Sequence, residues 1–220
     1  MNVLVIAPHP DDEVLGVGGT IAKHSMQGDD VYICIVTKFV LPTVPAEIVE
    51  RGRRECKIAN KKLGAKEVIF LDYPANMLHE VPICQIADDI GEIIKRYCID
   101  VVYIPDRGDV HQDHKIVFDA AMVAVRPKGD MYPRKVMSYE VLSETGWDAP
   151  FKENVFSPNV YVDITGTLDN KLEALAVYSS QVHDFPDARS LKAVESLAVY
   201  RGTTVSNQAA EAFSLIREVN

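Results

Sequence analysis

The segment Val3–Glu13, which reads VLVIAPHPDDE, decides the fold of this 220-residue chain. It begins with a continuous apolar run that ends at Ala7, and the acidic residues Asp11, Asp12 and Glu13 follow. A short continuous apolar run is typical of a strand that is buried on both faces of a parallel sheet. Acidic residues are favoured in the first turn of a helix. The segment therefore predicts a strand that ends at Ala7 and a helix that begins at Glu13.

A second segment, Val101–His114 (VVYIPDRGDVHQDH), repeats the pattern of an apolar run followed by polar residues. In an open parallel sheet the carboxyl ends of the strands lie along one edge, and ligands bind there. We therefore expect the polar ends of the two segments to meet in space. The set that would come together consists of three histidines and three aspartates: His9, Asp11, Asp12, His111, Asp113 and His114.

Strand-like and helix-like patterns alternate through the first two-thirds of the chain. Strands are predicted at 2–7, 31–37, 68–71 and 100–104, and helices at 13–27, 45–63, 83–97 and 114–125. In the last third, strands are predicted at 136–141 and 160–164, and helices at 167–180, 189–200 and 207–218. Apolar strands joined by helices predict an α/β fold of three layers, with a doubly wound, mainly parallel sheet between helices. No repeat or linker is present, so we expect one domain over residues 1–220.

The composition restricts the classes of partner. The net charge is −9, which argues against nucleic acid or an anionic membrane as the main partner. No apolar run approaches the roughly 18 residues of a membrane-spanning helix, and no basic leader with a cleavage site precedes the first strand, so we expect a cytoplasmic protein. The four cysteines lack a C-x-x-C spacing and lie in or beside apolar segments, which predicts buried, reduced thiols: Cys34, Cys56, Cys84 and Cys98.

The spacing of the polar residues suggests a catalytic metal site. His9 and Asp12 are three residues apart at a helix start, close enough to bind one ion, and His114 would supply a third ligand from the other strand end. A catalytic zinc site takes three such protein ligands and leaves one position open. Spacing alone does not decide whether Asp11 or Asp12 is the ligand. The other carboxylate would take the proton from the attacking water.

The remaining residues of the second segment could serve the same site. His111 would support the charge that develops on a substrate carbonyl, and Asp113 would hold a histidine ring by accepting its other N–H group. Asp109 and Arg107 share the loop and are further candidates. The lone histidines are assigned to the surface or the core: His24, His79 and His183.

A doubly wound fold also raises the alternative of nucleotide binding. Gly16, Gly18 and Gly19 follow the first strand, but Ile21 stands where a dinucleotide motif that starts at Gly16 has its last glycine. The acidic residues of the turn would repel a pyrophosphate, whereas they suit a cation. A metal-binding module without catalysis is a second alternative, and a carboxylate placed beside the ligands argues against it.

Together the two segments resemble the LmbE/PIG-L family of metal-dependent N-deacetylases, which act on N-acetylglucosamine-type conjugates. The resemblance rests on Ala7–Glu13 with Gly18–Thr20, and on Gly108–His114. Weaker similarities continue through Glu55–Gly64, Lys171–Gln181 and Arg201–Phe213, so the resemblance spans the chain in the order of the family.

The resemblance implies a Rossmann-like sheet of strand order 3-2-1-4-5, with C-terminal additions that cover the site. It implies a zinc hydrolase with His9, Asp12 and His114 as ligands and Asp11 as general base. His111 matches the histidine that stabilises the oxyanion or protonates the leaving amine, with Asp113 behind a site histidine. By ligand type, Fe²⁺, Co²⁺ or Mn²⁺ could replace Zn²⁺.

Three departures from the family pattern concern positions that face the substrate. Gly52 stands where family members carry an arginine that binds the sugar. Of the neighbouring arginines Arg51, Arg53 and Arg54, Arg51 is the best placed to replace it. Tyr178 replaces a common histidine, and the loop at 37–39 lacks the usual Thr-x-Gly. The predicted substrate-binding residues are Arg51 and Tyr178, together with Asp109 from the loop of the second segment. The expected partner is a small amino-sugar conjugate of open identity, and homo-oligomerisation is left open.

Overall fold

A seven-stranded sheet forms the centre of the computed structural model, which describes residues 1–39 and 44–220. The strands in these ranges are β1 Asn2–Ala7, β2 Asp30–Lys38, β3 Glu67–Pro74, β4 Val101–Pro105, β5 Lys135–Tyr139, β6 Val160–Asp163 and β7 Ala210–Glu218. Their order is β3-β2-β1-β4-β5-β7-β6. The first five strands run parallel, and β7 runs antiparallel to both β5 and β6. The predicted order 3-2-1-4-5 is confirmed, and two C-terminal strands extend it.

Helices cover both faces of this sheet. They are α1 Asp12–Met26, α2 Ala46–Lys62, α3 Ile83–Arg96, α4 Gln112–Ala124, α5 Leu168–Leu175 and α6 Leu191–Thr203. Successive residues of β1 enter opposite layers, since Val3 and Val5 pack in the cluster that contains α1 and α2, whereas Leu4 and Ile6 pack in the cluster that contains α3 and α4. This alternation follows from the period of two along a strand. The predicted three-layer α/β architecture is therefore confirmed.

The helix predicted over 207–218 is wrong, because Ala210–Glu218 forms β7. Phe213 and Leu215 pack in one layer and Ile216 in the other, which is the period of a strand. Strands β5 and β6 hydrogen-bond to its two edges. Pairing on both sides outweighs the local helix propensity of its alanine and glutamate residues, because such propensities are weak compared with tertiary contacts.

The helix predicted over 167–180 is shorter than expected, because α5 ends at Leu175. Tight turns follow, and they direct the hydroxyls of Tyr178 and Ser180 to two buried carboxylates, at 2.5 Å from Glu13 Oε1 and 2.5 Å from Glu55 Oε2. These long-range hydrogen bonds fix the turns. No local pattern in the sequence predicts the hydrogen bonds.

The cysteine prediction is right for two thiols and wrong for two. All four lie free in the described ranges, with Cys34 and Cys56 buried but Cys84 and Cys98 exposed. Cys84 lies on α3 away from its buried stripe, and Cys98 follows the end of that helix with a positive φ of 49°. Apolar neighbours on an amphipathic helix therefore did not indicate burial. Within residues 1–39 and 44–220, no helix has the length and apolar composition needed to cross a membrane.

The central position of β1 places the functional edge. β1 pairs with β2 on one side and β4 on the other. The chain therefore winds away from β1 in both directions, and a crevice opens at the carboxyl ends of β1 and β4. Ligands bind at such reversals of strand order in open α/β sheets.

Candidate metal centre and active-site cavity

His9, Asp12 and His114 meet at this reversal point. One possible ligand atom from each lies within 4.8 Å of the others. The Oδ2 atom of Asp12 is 3.3 Å from His9 Nδ1 and 3.2 Å from His114 Nε2. His9 is in the loop after β1, Asp12 begins α1, and His114 is in the first turn of α4. The strand ends therefore bring together the residues that the sequence proposed.

The free atoms of these residues fit a divalent cation. Among the described residues, neither His114 Nε2 nor Asp12 Oδ1 has a hydrogen-bond partner, although both atoms are buried. A cation would satisfy both. Burial alone would raise the pKa of Asp12, but the neighbouring imidazoles of His114 and His9 bring that pKa well below its usual range. Two imidazoles and a carboxylate are a common ligand set of catalytic zinc.

A second set with suitable spacing, His9, His111 and Asp113, overlaps the first. Both ring nitrogens of His111 are engaged, because Nδ1 accepts the Asp113 backbone N–H at 3.1 Å and Nε2 lies 3.1 Å from Asn76 Oδ1. The hydrogen-bond pattern therefore favours the first set as the metal centre.

A buried carboxylate lies behind each histidine of the first set. Asp113 Oδ2 is 3.1 Å from His9 Nε2 and also accepts the Asn76 backbone N–H at 2.7 Å. Asp109 Oδ2 is 2.8 Å from His114 Nδ1. Such carboxylates fix the tautomer of a metal-binding histidine, so that His9 presents Nδ1 and His114 presents Nε2 to the centre.

Asp109, for which the sequence predicted substrate binding, does not line the cavity. It is fully buried, and its second oxygen accepts the Thr145 hydroxyl at 2.5 Å. Burial raises the pKa of Asp109 to about 6 against the opposing effect of His114. The geometry suits a residue that positions His114.

Asp11 has an unusual backbone and a free carboxylate oxygen. Its φ is 119°, and its N–H donates to Glu13 Oε2 at 3.1 Å. In the part of the chain that is described, Asp11 Oδ2 is buried without a hydrogen-bond partner. Burial and the charge of Asp12 raise the pKa of Asp11 well above its usual range. Asp11 therefore presents an unpaired acceptor beside the ligand set, as a general base requires.

His111 lies across the site as the residue that caps α4. Because its Nδ1 accepts a backbone N–H, the proton of the neutral ring is on Nε2. Burial and the neighbouring rings of His9 and His114 lower the pKa of His111 to about 4. His111 thus carries an uncharged N–H donor, which Asn76 Oδ1 accepts at 3.1 Å.

These groups open into a cavity of about 360 Å³. The lining includes His9, Asp11, Asn76 and His111 of the site, the polar residues Glu144, Tyr178, Ser180, Gln181 and Arg189, and a group that is here called the α2 wall: Lys38, Phe39, Ile48, Val49, Gly52, Arg53 and Phe70. The cavity is large enough for a small organic molecule.

The predicted substrate-binding residues differ in their relation to this cavity. Tyr178 lines it, although its hydroxyl is bound to Glu13. Arg51 does not line it, because its guanidinium binds Glu55 Oε1 at 3.0 Å and Ser179 Oγ at 2.8 Å. Arg53, one residue beyond Gly52, lines the wall, pairs with Asp72 and stacks on the Phe70 ring at 4.7 Å.

The other candidates of the sequence lie elsewhere. Arg107 is exposed and pairs with Asp119 at 3.4 Å. The glycines considered for nucleotide binding lie inside α1, where a Cβ atom at Gly16 would be 2.2 Å from the Tyr139 ring and one at Gly19 would be 2.8 Å from Ile164. They permit close packing of α1 and do not form an open phosphate-binding turn.

Three polar lining residues were not identified from the sequence: Asn76, Glu144 and Arg189. Each lies in a loop outside the two polar segments, with no characteristic neighbour or spacing. Only tertiary contacts bring them to the cavity, so no signal in the sequence identified them.

Deacetylases are among the known proteins that are similar to this chain. Among curated proteins, the diacetylchitobiose deacetylase of Thermococcus kodakarensis is 28% identical over 195 residues, which cover 84% of this chain and 71% of that protein. A probable N-acetyl-alpha-D-glucosaminyl L-malate deacetylase 2 of Bacillus cereus is 28% identical over 191 residues, which cover 82% of this chain and 83% of that protein.

Solved structures share the fold over nearly the whole chain. The conserved protein TT1542 of Thermus thermophilus has a TM-score of 0.80 at 26% identity and covers 99% of this chain and 96% of its own. The N,N'-diacetylchitobiose deacetylase of Pyrococcus horikoshii has a TM-score of 0.76 at 26% identity, with 98% and 83% covered. The model of the PIG-L family, described as GlcNAc-PI de-N-acetylase, matches residues 4–125. The chain therefore belongs to the PIG-L family.

Proposed function

We propose that this protein hydrolyses the N-acetyl group of an N-acetylglucosamine-type conjugate and that His9, Asp12 and His114 hold a divalent metal ion for the reaction. Zinc is the metal that this set of ligands favours most. As a member of the PIG-L family the protein is an N-deacetylase enzyme. One observation carries the metal-assisted mechanism: the ligand set meets the cavity at His9, and beside it the buried Oδ2 atom of Asp11, another lining residue, has no hydrogen-bond partner among the described residues. When bound, the ion would polarise the acyl oxygen and lower the pKa of the attacking water.

The residues of the chain then perform the proton transfers. Asp11 Oδ2 takes a proton from water as the water oxygen attacks the acetyl carbon. In this proposal the Nε2–H group of His111 gives up its contact with Asn76 Oδ1 and donates to the acyl oxygen as negative charge develops there, because a donor held in place stabilises that charge. The C–N bond breaks and the proton held by Asp11 passes to the leaving nitrogen, which gives a free amine and acetic acid; the acid then loses its proton to water and leaves as acetate.

Asp109 and Asp113 support this chemistry without contacting the substrate. Each accepts a hydrogen bond from the far side of one metal-binding histidine, at 2.8 Å from His114 and 3.1 Å from His9. In this proposal Asp113 also orders His111, since its backbone N–H determines the tautomer of that ring. A change of either carboxylate would lower metal affinity by ~10–100-fold.

The α2 wall of the cavity suits the group to which the amino sugar is attached. Phe70, Ile48 and Val49 provide apolar surface there, and Gly52 has no described atom within 4 Å of the position that a Cβ would take. The cavity is therefore open on the side where the sequence resemblance expects an arginine. We propose that Arg53 is better placed than Arg51 to contact the substrate.

A panel of N-acetylated sugars tests the proposal. The zinc-loaded protein would be incubated with N-acetylglucosamine, diacetylchitobiose and N-acetylglucosaminyl malate, and primary amine would be measured. We expect release from at least one conjugate, at a rate that falls by ~10²–10⁴-fold in the Asp11→Asn variant. Release from simple N-acetyl amines but from no sugar would favour the alternative, a different metal-dependent amide hydrolase of this fold.

A further inference from the structure

We propose that Arg189 and Glu144 form a hydroxyl-binding pair that fixes the sugar ring beside the reacting amide. The inference rests on the proposed deacetylase function. The Arg189 guanidinium lies between two carboxylates, with Nε at 3.6 Å from Asp11 Oδ2 and Nη2 at 3.5 Å from Glu144 Oε1. Arg189, Glu144 and Asp11 line the cavity that also contains His9 and His111.

Ordered backbone presents Arg189. Its N–H donates to Asp187 Oδ1 at 2.8 Å. The next residue, Ser190, caps α6 by accepting the Ala193 N–H at 3.2 Å. The side chain therefore projects from a fixed turn at the start of a helix.

Backbone hydrogen bonds also fix the position of Glu144. Its N–H donates to Val141 O at 2.9 Å, and its carbonyl accepts the Val110 N–H at 3.1 Å, so the turn after β5 is tied to the loop before α4. The residue is only 8% exposed. A carboxylate at such a position needs donors, and Arg189 supplies one contact at the outer limit of hydrogen-bond length.

Arg189 keeps hydrogen-bonding capacity for a ligand. A guanidinium has five N–H donors. Within residues 1–39 and 44–220, its Nε atom is buried without a partner. The Asp11 oxygen opposite, 3.6 Å away, also has no hydrogen-bond partner among the described residues, so the two atoms form an ion pair without a hydrogen bond. A molecule in the cavity can therefore accept hydrogen bonds from Arg189 at a point next to the proposed base.

The chemistry of the pair selects a neutral hydroxyl. A hydroxyl both donates and accepts, so it can accept from Arg189 and donate to Glu144 at once. A carboxylate or phosphate at this point would face the charges of Glu144 and Asp11, which disfavour it. In an amino sugar joined to its conjugate through C1, the hydroxyl nearest the acetamido carbon C2 is the one on C3. The pair therefore fits the 3-hydroxyl of the substrate.

The test compares a substrate with its 3-deoxy analogue. The kcat/KM of both would be measured for the wild type, Arg189→Ala, Glu144→Ala and the control Arg134→Ala. Arg134 is exposed at the amino end of β5, at the opposite edge of the sheet. For the wild type and the control we expect kcat/KM to be ~10-fold or more higher for the substrate that carries the 3-hydroxyl. Loss of this hydroxyl leaves the buried polar groups of Arg189 and Glu144 without a partner.

In Arg189→Ala and Glu144→Ala we expect that preference to disappear, with KM for the normal substrate raised and the metal content unchanged. An unchanged preference in both variants would overturn the inference. A fall in kcat alone would also overturn it, because Arg189 would then act on the acyl oxygen.

Product binding separates this inference from the proposed function. Calorimetry would measure the affinity of the deacetylated amine and of its 3-deoxy form for the same proteins, with no turnover required. A wild type that deacetylates no sugar contradicts the proposed function. If product binding then depends on the 3-hydroxyl only while Arg189 is present, the pair is supported. Equal affinity for both amines in the wild type contradicts the pair.

Discussion

At the scale of single residues, Asp11 shows how a backbone and a carboxylate are prepared together. Its φ of 119° is rarely adopted by residues other than glycine. Glu13 accepts the Asp11 N–H and is itself held by Tyr178 at 2.5 Å and Asn60 at 2.7 Å. The conformation persists because buried hydrogen bonds hold it. The residue that needs a fixed carboxylate therefore has a fixed backbone.

Replacement of Asp11 tests the base directly. In Asp11→Asn, an amide replaces the proton acceptor, and we expect turnover to fall by ~10²–10⁴-fold, the usual effect of losing a general base. Metal content, measured by elemental analysis, should stay at the wild-type level because the proposed ligands are unchanged. An active variant would show that another group accepts the proton.

Replacement of Tyr178 tests the support of that backbone. Tyr178→Phe removes the short hydrogen bond to the buried Glu13, and we expect the free energy of unfolding to fall by about 1–3 kcal/mol in urea titrations. Tyr200→Phe is the matched control, since Tyr200 is 61% exposed. Equal stability of the two variants would mean that Glu13 does not depend on the tyrosine hydroxyl.

At the scale of elements, α1 is adapted to lie very close to its neighbours. Gly16 lies against the ring of Tyr139, the last residue of β5, and Gly19 lies against Ile164, the residue after β6. Tyr139 in turn donates to the Ile6 carbonyl at 2.8 Å. The helix that begins with the metal-binding Asp12 is therefore fixed by small residues on its buried face.

Two glycine-to-alanine changes in helices should act in opposite directions. Gly16→Ala places a methyl group against the Tyr139 ring, and we expect a destabilisation of about 1–3 kcal/mol from overpacking. Gly91→Ala in α3 meets no described atom within 4 Å, and it should stabilise by about 0.5–1 kcal/mol through helix propensity. Thermal or urea unfolding measures both. A stable Gly16→Ala protein would show that α1 can shift.

At the scale of the whole molecule, the proposed metal centre joins segments from two sides of the sheet. His9 and Asp12 follow β1, whereas His114 follows β4. A metal ion would bind to the folded chain and not to the unfolded one, because only folding brings these residues together. Metal binding and folding should therefore be linked.

Removal of the metal tests this linkage. A chelator should abolish deacetylation and lower Tm, and added zinc should restore both, because a ligand that binds only the folded state stabilises it. His114→Ala should lose most of the bound metal. His79→Ala, at a histidine with a 49% exposed side chain outside the cavity, should keep it. Full activity of the wild type after chelation would contradict metal dependence.

The sequence by itself determined the parallel half of the sheet and the residues of the proposed centre. The apolar run at 3–7 and the polar residues after it carry local signals of strand, turn and helix, and the second polar segment repeats them. Because parallel strands align their carboxyl ends, two local patterns were enough to predict that six polar residues meet, with His9, Asp12 and His114 among them, although spacing left the choice between Asp11 and Asp12 as ligand open. The structure places these three together.

Only the tertiary structure decided the C-terminal third and the walls of the cavity. Ala210–Glu218 is a strand because β5 and β6 pair with its edges, and the partners of a strand are not written in its own residues. Arg189 and Glu144 reach the cavity from loops held by long-range hydrogen bonds. Local periodicity specifies an element and the face it buries, whereas the contacts between distant loops depend on how all the elements pack.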